Sequence, residues 1–237
     1  MPDPFPLLVP GATPDAELAD VHAPYDGSLI ATVERGGPQV VEKALDTAYR
    51  LFRDRDAWLG AAQRTDILRG AAVIMQERRD ELAVEAAREG GKPLVDSLVE
   101  VDRAIDGVHE CVELLRTQHG EEIPMGLNAA STGRLAFTRH EPIGVVVAFS
   151  AFNHPLNLIV HQVGPAVATG CPCIIKPAEA TPLSGMRFVG ILREAGLPEE
   201  WCQGLLTTDL DVAGSLATDR RVGFFSFIGS ARVGWML

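Results

Sequence analysis

Polar side chains and a glycine turn follow three segments that have the composition of buried strands. Asn153 comes shortly after the run GVVVAF, and the pair Gly229-Ser230 follows VGFFSFI. Lys176 and Glu179 lie at and just beyond the end of CIIK. Ligands of an open parallel sheet bind outside the carboxyl ends of its strands. The sequence therefore predicts that an amide, an ammonium, a carboxylate and a glycine turn meet at one edge of a sheet.

A nucleotide is the ligand that this set of groups suits. Lys176 can donate a hydrogen bond to a ribose hydroxyl and Glu179 can accept one, while backbone N–H groups after Gly229-Ser230 can face a pyrophosphate. A carboxylate at the ribose disfavours a 2′-phosphate, which favours NAD over NADP. Each of these sequence features, taken alone, also has an interpretation that involves no nucleotide. A Lys-Pro after a strand is more often a solvated loop, and G-S-x-x-x-G is less specific than G-x-G-x-x-G, which the chain lacks.

Alternating strand and helix patterns from residue 143 onward must position these groups. The pattern predicts strands at 144–149, 173–177, 203–206 and 222–228. Helices are predicted at 155–168, at 181–196, briefly after the third strand, and from Arg232 onward. Four βα units with crossovers of this length predict a Rossmann-like α/β fold, in which an open parallel sheet carries helices on both faces.

The first 142 residues have a different organisation. Residues 1–37 are rich in Pro, Gly and Asp and predict an extended arm with short strands. Apolar periodicity then predicts helices at 38–52, 63–88 and 94–115. The alternation in GRLAFTRHEP predicts an exposed hairpin. The expected segments are an N-terminal arm with helices at 1–123, an exposed hairpin at 124–142 and a nucleotide-binding part at 143–237.

Composition excludes several classes of function. The chain has 237 residues, of which 46% are hydrophobic and 22% charged, and a net charge of −11. Because no basic block is present, nucleic acid and anionic membranes are not expected as partners. The longest apolar run is far shorter than a membrane span, and the start lacks the features of a signal peptide. Four cysteines fit a reducing cytoplasm.

Neither the histidines nor the cysteines predict a metal site. His154 and His161 lack the spacing of metal ligands or of a Ser–His–Asp triad, so we interpret them as surface or core residues. Cys171 and Cys173 flank a proline at a spacing too tight for an easy disulfide or a zinc site. We expect both to be small buried residues at a strand start.

Three segments in order resemble the aldehyde dehydrogenase superfamily. EPIGVVVAFSAFNHPLNL resembles the family's first strand with the loop that carries an Asn. GPAVATGCPCIIKPAEATPLS resembles its second strand with the K-P-x-E cofactor residues, and FSFIGSARVG resembles its G-S-x-x-V-G nucleotide turn. EGGKP at 89–93 fits the same pattern. The segment NHPLN is similar to the corresponding segment of family members that act on small polar aldehydes.

The resemblance implies a role for each matching position. Asn153 would donate its side-chain amide to the oxyanion of a thiohemiacetal. Lys176 and Glu179 would hold the adenosine ribose, and Ser230 with the backbone after Gly229 would hold the pyrophosphate. Phe152 stands where many members have Trp, which keeps a ring but removes the indole N–H. The implied cofactor-binding residues are Ser150, Phe152, Lys176, Glu179, Gly229, Ser230 and Val233.

The family's mechanism also needs a cysteine nucleophile and a glutamate base, both downstream of the G-S-x-x-V-G turn. We therefore expect the chain to be the cofactor-binding, N-terminal part of a longer homo-oligomeric NAD-dependent enzyme, with NADP as the alternative cofactor and a small aldehyde as substrate. The hairpin at 124–142 resembles the family's oligomerisation element, and residues 143–237 would be an incomplete NAD-binding part. On this expectation the chain alone is inactive and is either poorly soluble or self-associating. The alternatives are a naturally short, non-catalytic nucleotide-binding or interaction protein, and a reductase of the same fold that acts on acyl phosphates or acyl-CoA.

Overall fold

A four-stranded parallel sheet forms the centre of the computed structural model, which describes residues 4–237. In chain order, the described strands are β1 (Leu18–His22), β2 (Leu29–Glu34), β3 (Glu122–Ile123), β4 (Ala136–Phe137), β5 (Val145–Phe149), β6 (Cys173–Lys176), β7 (Cys202–Gly204) and β8 (Val222–Phe227). The α-helices are α1 (Pro38–Arg53), α2 (Ala61–Glu77), α3 (Arg79–Gly90), α4 (Leu94–Thr117), α5 (Pro155–Thr169), α6 (Pro182–Glu194), α7 (Leu210–Thr218) and α8 (Ala231–Met236). None of these helices combines the length and apolar composition needed to cross a bilayer.

The strand order creates a switch point between β5 and β8. The central sheet runs β7-β6-β5-β8, and all its pairs are parallel. After β5, the chain therefore adds β6 and then β7 on one side of β5. It then returns to the other side of β5 to form β8. The crevice at such a reversal is where open α/β sheets bind ligands. The predicted Rossmann-like sheet is confirmed.

Alternate residues of β5 face two separate cores, so helices cover both faces of the sheet. Val145 and Val147 pack in the core that α1 and α7 close. Val146 and Ala148 pack in the larger core that α5 and α6 close. A strand that is buried on both faces reads as an uninterrupted apolar run, which explains the sequence VVVAF.

Helices α2, α3 and α4 form an additional layer outside α5 and α6. The prediction of one helix over 63–88 was wrong, because the chain bends at Arg78 (φ −104°, ψ 18°) and forms α2 and α3. Arg78 donates two hydrogen bonds to Glu194 of α6 at 2.6 and 2.8 Å. Arg79 pairs with Asp102 of α4 at 2.5 and 2.7 Å. Both helices pack against α4 and α6, and the two ion pairs attach the bend between them to these same neighbours.

The N-terminal arm pairs with the central sheet and with its own hairpin. The arm contains two short strands, as predicted, and these strands, β1 and β2, pair in antiparallel fashion. Leu8 exchanges backbone hydrogen bonds with Gly204 of β7 at 3.0 and 3.3 Å. The arm therefore covers the β7 edge, whereas β8 forms the opposite edge of the sheet within the described residues.

A hairpin lies on the surface as predicted, but its first strand, β3, precedes the predicted segment 124–142. Strands β3 and β4 pair in antiparallel fashion through Glu122–Phe137 and Ile123–Ala136. Leu127, Leu135 and Phe137 are 84%, 75% and 69% exposed, respectively. Three large apolar side chains are therefore exposed within this short segment. The division into segments at 1–123, 124–142 and 143–237 stays a prediction.

Candidate functional site

The carboxyl ends of β5, β6 and β8 bring three of the predicted loops together. Phe149 is level with Lys176 on one side and with Phe227 on the other. Beyond the strand ends, the Ser150 N–H donates to the Lys176 carbonyl at 3.2 Å, and the Ile228 N–H donates to the Phe149 carbonyl at 2.9 Å. The loops that carry Asn153, Lys176–Glu179 and Gly229-Ser230 therefore leave the sheet at one level and at its switch point.

Lys176 and Glu179 form a partly exposed pair on the β6 loop. The Lys176 ammonium lies 3.7 Å from a Glu179 carboxylate oxygen and 5.6 Å from the centre of the Phe149 ring. The Lys176 side chain is 13% exposed, and that of Glu179 is 47% exposed. Burial lowers the pKa of Lys176, and the neighbouring Glu179 opposes this effect. The pair presents donors and acceptors that suit vicinal hydroxyls.

The turn after β8 requires glycine because an aromatic ring lies beneath it. A Cβ at Gly229 would lie 2.5 Å from the ring of Phe227, and a Cβ at Gly234 would lie 3.1 Å from it. Ser230 is the N-cap of α8, where its hydroxyl accepts from the Val233 N–H at 3.3 Å. The backbone thus turns closely over the Phe227 ring.

Asn153 and Phe152 project from the loop between β5 and α5. Both are exposed, Phe152 by 63%. Ser150, at the base of this loop, has a buried hydroxyl with no hydrogen-bond partner within the chain. A buried unsatisfied hydroxyl at a ligand-binding edge is a group that a ligand or water can satisfy.

Three buried side chains that sequence reasoning missed hold these loops in place. Gln162 of α5 donates to the Phe149 carbonyl at 3.0 Å and to the Ser226 carbonyl at 2.9 Å, which joins β5 to β8 at the switch point. Glu100 accepts backbone N–H groups at the start of α5, and Glu89 accepts those at the start of α6. The sequence did contain a signal for the two glutamates, because each lies on the buried, otherwise mostly apolar face of its helix.

Glu89 is a carboxyl group in an unusual environment. It is 1% exposed and accepts the N–H of Leu183 at 2.8 Å, the N–H of Ser184 at 2.9 Å, and the Ser184 hydroxyl. Burial raises the pKa of Glu89 to about 7, despite these hydrogen bonds, and Glu85 adds to the increase. The start of α6, and with it the Lys176–Glu179 loop, is thus attached to α3.

The four cysteines are free, buried and away from this edge. Cys173 and Cys202 are the first residues of β6 and β7, at the amino ends of the strands. Cys111 packs on α5 near Gly164, and burial raises the pKa of its thiol to about 11. Within residues 4–237 no cluster of three or more histidine, cysteine, aspartate or glutamate side chains is arranged to hold a metal ion. His154 and His161 lie near α4.

Comparison with known proteins identifies relatives of this arrangement. Residues 12–237 match the aldehyde dehydrogenase family. The chain is 37% identical over 222 residues to the 3-sulfolactaldehyde dehydrogenase of Priestia megaterium, covering 94% of this chain and 46% of that protein. The curated relatives that it matches are more than twice as long as the matched part.

Solved structures agree with this assignment. Aldehyde dehydrogenase 21 from Physcomitrella patens, in complex with the reaction product succinate, superposes with a TM-score of 0.90 at 31% identity, over 99% of this chain and 49% of that one. A glyceraldehyde-3-phosphate dehydrogenase from Methanocaldococcus jannaschii, complexed with NADP, superposes with a TM-score of 0.84 at 30% identity, over 94% of this chain and 48% of that one. The chain belongs to the aldehyde dehydrogenase family.

Proposed function

We propose that this chain supplies the nicotinamide-nucleotide site and the oxyanion amide of an enzyme that oxidises a small polar aldehyde to a carboxylic acid. The observation that carries the proposal is the meeting of three loops at the β5–β8 switch point. They bear Asn153, the Lys176–Glu179 pair and the Gly229-Ser230 turn. Membership of the family and the relationship to a 3-sulfolactaldehyde dehydrogenase support the reaction class.

The residues at this edge fit a dinucleotide. Lys176 and Glu179 would hold the ribose of the adenosine, and Ser230 with the backbone after Gly229 would hold the pyrophosphate. The absence of a side chain at Gly229 lets the turn pack closely over the Phe227 ring. Ser150, Phe152 and Val233 would complete the contacts, with the buried Ser150 hydroxyl as an unused hydrogen-bonding group. The bound cofactor accepts a hydride from the substrate carbon.

Asn153 would act on the other reactant. When a thiolate adds to an aldehyde, the carbonyl oxygen becomes an alkoxide, and a fixed amide N–H that donates to it stabilises the transition state. The Asn153 side chain is exposed on the loop that leaves the switch point, where such an oxygen can approach it. This role requires that the loop hold Asn153 in a defined position.

NAD is the proposed cofactor, because the Glu179 carboxylate would repel a 2′-phosphate on the ribose it binds. Titration of the chain with NAD and NADP by calorimetry tests this assignment. Lys176→Met should raise the Kd for NAD about 10-fold or more, since a hydrogen bond to a charged group contributes about 1.5–3 kcal/mol. Glu179→Gln should reduce the ratio of the affinity for NAD to the affinity for NADP. Lys43→Met, which removes an exposed ammonium from α1, is the matched control.

Two results would contradict this site. The chain could bind neither nucleotide, or the Lys176→Met and Lys43→Met variants could bind NAD equally well. A preference for NADP that Glu179→Gln leaves unchanged would overturn the choice of cofactor while leaving the site intact.

We place the nucleophile outside these 237 residues. Three of the four cysteines lie at or near the amino ends of strands, and the raised pKa of Cys111 disfavours its thiolate. We expect the chain alone to bind NAD but to form no NADH from an aldehyde. The protein purified from its source should do both. A source protein of 25.4 kDa without this activity would favour a non-catalytic nucleotide-binding protein instead.

Assembly and compartment are further parts of the proposal. The exposed apolar side chains of the hairpin support self-association into a homo-oligomer, because monomers rarely expose large contiguous apolar patches. Light scattering after gel filtration tests it, and a monodisperse monomer would contradict it. The four free cysteines favour a reducing compartment such as the cytoplasm.

A further inference from the structure

A buried ion pair lies directly behind the loop that carries Asn153. Glu100 of α4 has a fully buried side chain, and its partner Lys92 is 15% exposed. Neither residue is among those proposed to bind the nucleotide or the substrate. Burying two charges is costly unless both are paired and hydrogen-bonded, so the remaining contacts of each group show what the pair does.

Glu100 acts as an N-cap for a helix other than its own. Its carboxylate accepts the N–H of Leu156 at 2.9 Å and the N–H of Asn157 at 3.1 Å, in the first turn of α5. The N-cap residue of α5, His154, makes no side-chain capping bond. The first N–H groups of a helix have no partner within the helix, so Glu100 supplies the acceptors that the local sequence does not.

Lys92 joins this cap to the preceding loop. Its ammonium pairs with Glu100, donates to the backbone carbonyl of Asn153 at 3.1 Å, and lies 3.4 Å from Nδ1 of His154. The carboxylate and the carbonyl accept two of the three N–H donors of the ammonium group. Nδ1 of His154 also lies 3.7 Å from the Glu100 carboxylate, so the imidazole ring belongs to the same cluster.

A donor fixed at the Asn153 carbonyl restricts the peptide plane that follows Asn153. Rotation of that plane would break the bond to Lys92, and Lys92 is itself held by a carboxylate that is anchored to α5. The backbone position of Asn153 is therefore tied to α4 and α5. An oxyanion donor must be held within about 0.5 Å of its productive position by groups outside the reacting set.

We propose that Lys92 is a positioning residue, which fixes the backbone of Asn153 through its carbonyl oxygen while Glu100 holds Lys92 in place. The proposal rests on the proposed function in one respect only, the role of the Asn153 amide. The backbone restraint itself can be measured without substrate.

Two variants and one control test the restraint in the 237-residue chain. Lys92→Met keeps the length of the side chain but removes its donors. Glu100→Gln keeps an acceptor for the start of α5 but removes the charge that holds Lys92. Lys43→Met is the control. We would measure backbone 15N order parameters for Asn153 and His154, amide exchange at Leu156 and Asn157, and the affinity for NAD.

In both variants the order parameter of Asn153 should fall from about 0.85 to below about 0.6, the values of rigid and flexible backbone. Exchange at Leu156 and Asn157 should change by less than about 10-fold, because an acceptor still caps α5. If Lys92→Met does not fold, Glu100→Gln makes the same test. Unchanged order at Asn153, or loosening spread evenly along α5, would overturn the proposal.

Binding of NAD separates this inference from the proposed function. The ribose contacts Lys176 and Glu179 lie on another loop, so both variants should still bind NAD. Ser150 and Phe152 share the loosened loop, so the Kd should rise by no more than about 10-fold. Failure of the parent chain to bind NAD would refute the proposed function and leave the restraint to be judged by the order parameters alone.

Discussion

The buried Glu89 carboxyl should make the stability of the chain depend on pH in a defined direction. Burial raises the pKa of this group from 4.5 to about 7 in the folded chain. A raised folded-state pKa contributes stability that is fully present below the unfolded pKa, near 4.5, and is lost as the pH rises through about 7. At about 1.4 kcal/mol per pKa unit, this interval amounts to about 3 kcal/mol.

Glu89→Gln isolates this contribution, because glutamine has a similar shape and does not titrate. We would measure the free energy of unfolding in urea for both proteins between pH 4.5 and 8.5. The parent chain should lose about 3 kcal/mol relative to Glu89→Gln over this range, with most of the loss complete near pH 7. Glu81→Gln, which removes an exposed carboxylate from the same helix, is the control.

The opposite sign would refute the reasoning. Three donors at the start of α6 surround Glu89, and a helix N-terminus favours an anion. If these groups outweighed burial, the parent chain would gain stability relative to Glu89→Gln as the pH rises. A constant difference between the two proteins would show that burial and hydrogen bonding cancel.

Three further results are expected. Gly229→Ala should destabilise the chain by about 1–3 kcal/mol, because the new Cβ would lie 2.5 Å from the Phe227 ring, and unchanged urea unfolding would contradict this. Gln162→Leu should cost about 1–3 kcal/mol in thermal unfolding, because it leaves the Ser226 carbonyl without its donor; an unchanged Tm would show that water replaces the amide. Cys111 should resist iodoacetamide at pH 8 until urea is added, as peptide mass analysis would reveal, because burial raises the pKa of its thiol to about 11.

The features that the sequence predicted correctly are those with local causes. The uninterrupted apolar run of β5 indicates a strand buried on both faces. Pro155 occupies the first turn of α5, and Gly170 ends that helix with a positive φ of 79°. Each signal lies within a few residues of the element it defines, so a pattern of short range is sufficient to find the four βα units.

The single helix predicted over 63–88 failed because its break has a tertiary cause. No proline or glycine stands at the bend, and helical periodicity continues on both sides of it. The bend at Arg78 coincides with ion pairs to α4 and α6, whose acceptors lie 23 and 116 residues further along the chain. Apolar periodicity shows which face of a helix is buried. It carries no information about a residue far along the chain whose ion pair changes the direction of the helix.

The residues of the candidate site also differ in whether local sequence patterns can predict them. Asn153 and Gly229 follow strands and Lys176 ends one, so the rule for ligand sites in parallel sheets is enough to select them. Glu89 and Glu100 act across 94 and 56 residues, and a local reading treats each as an irregularity in an apolar stripe. A stronger rule follows from physical chemistry. A carboxylate on a buried stripe must find several donors, and in an α/β protein the unpaired buried donors are concentrated at helix N-termini. A glutamate that breaks an apolar stripe therefore predicts contact with the start of another helix, which in a doubly wound fold lies beside a ligand-binding loop.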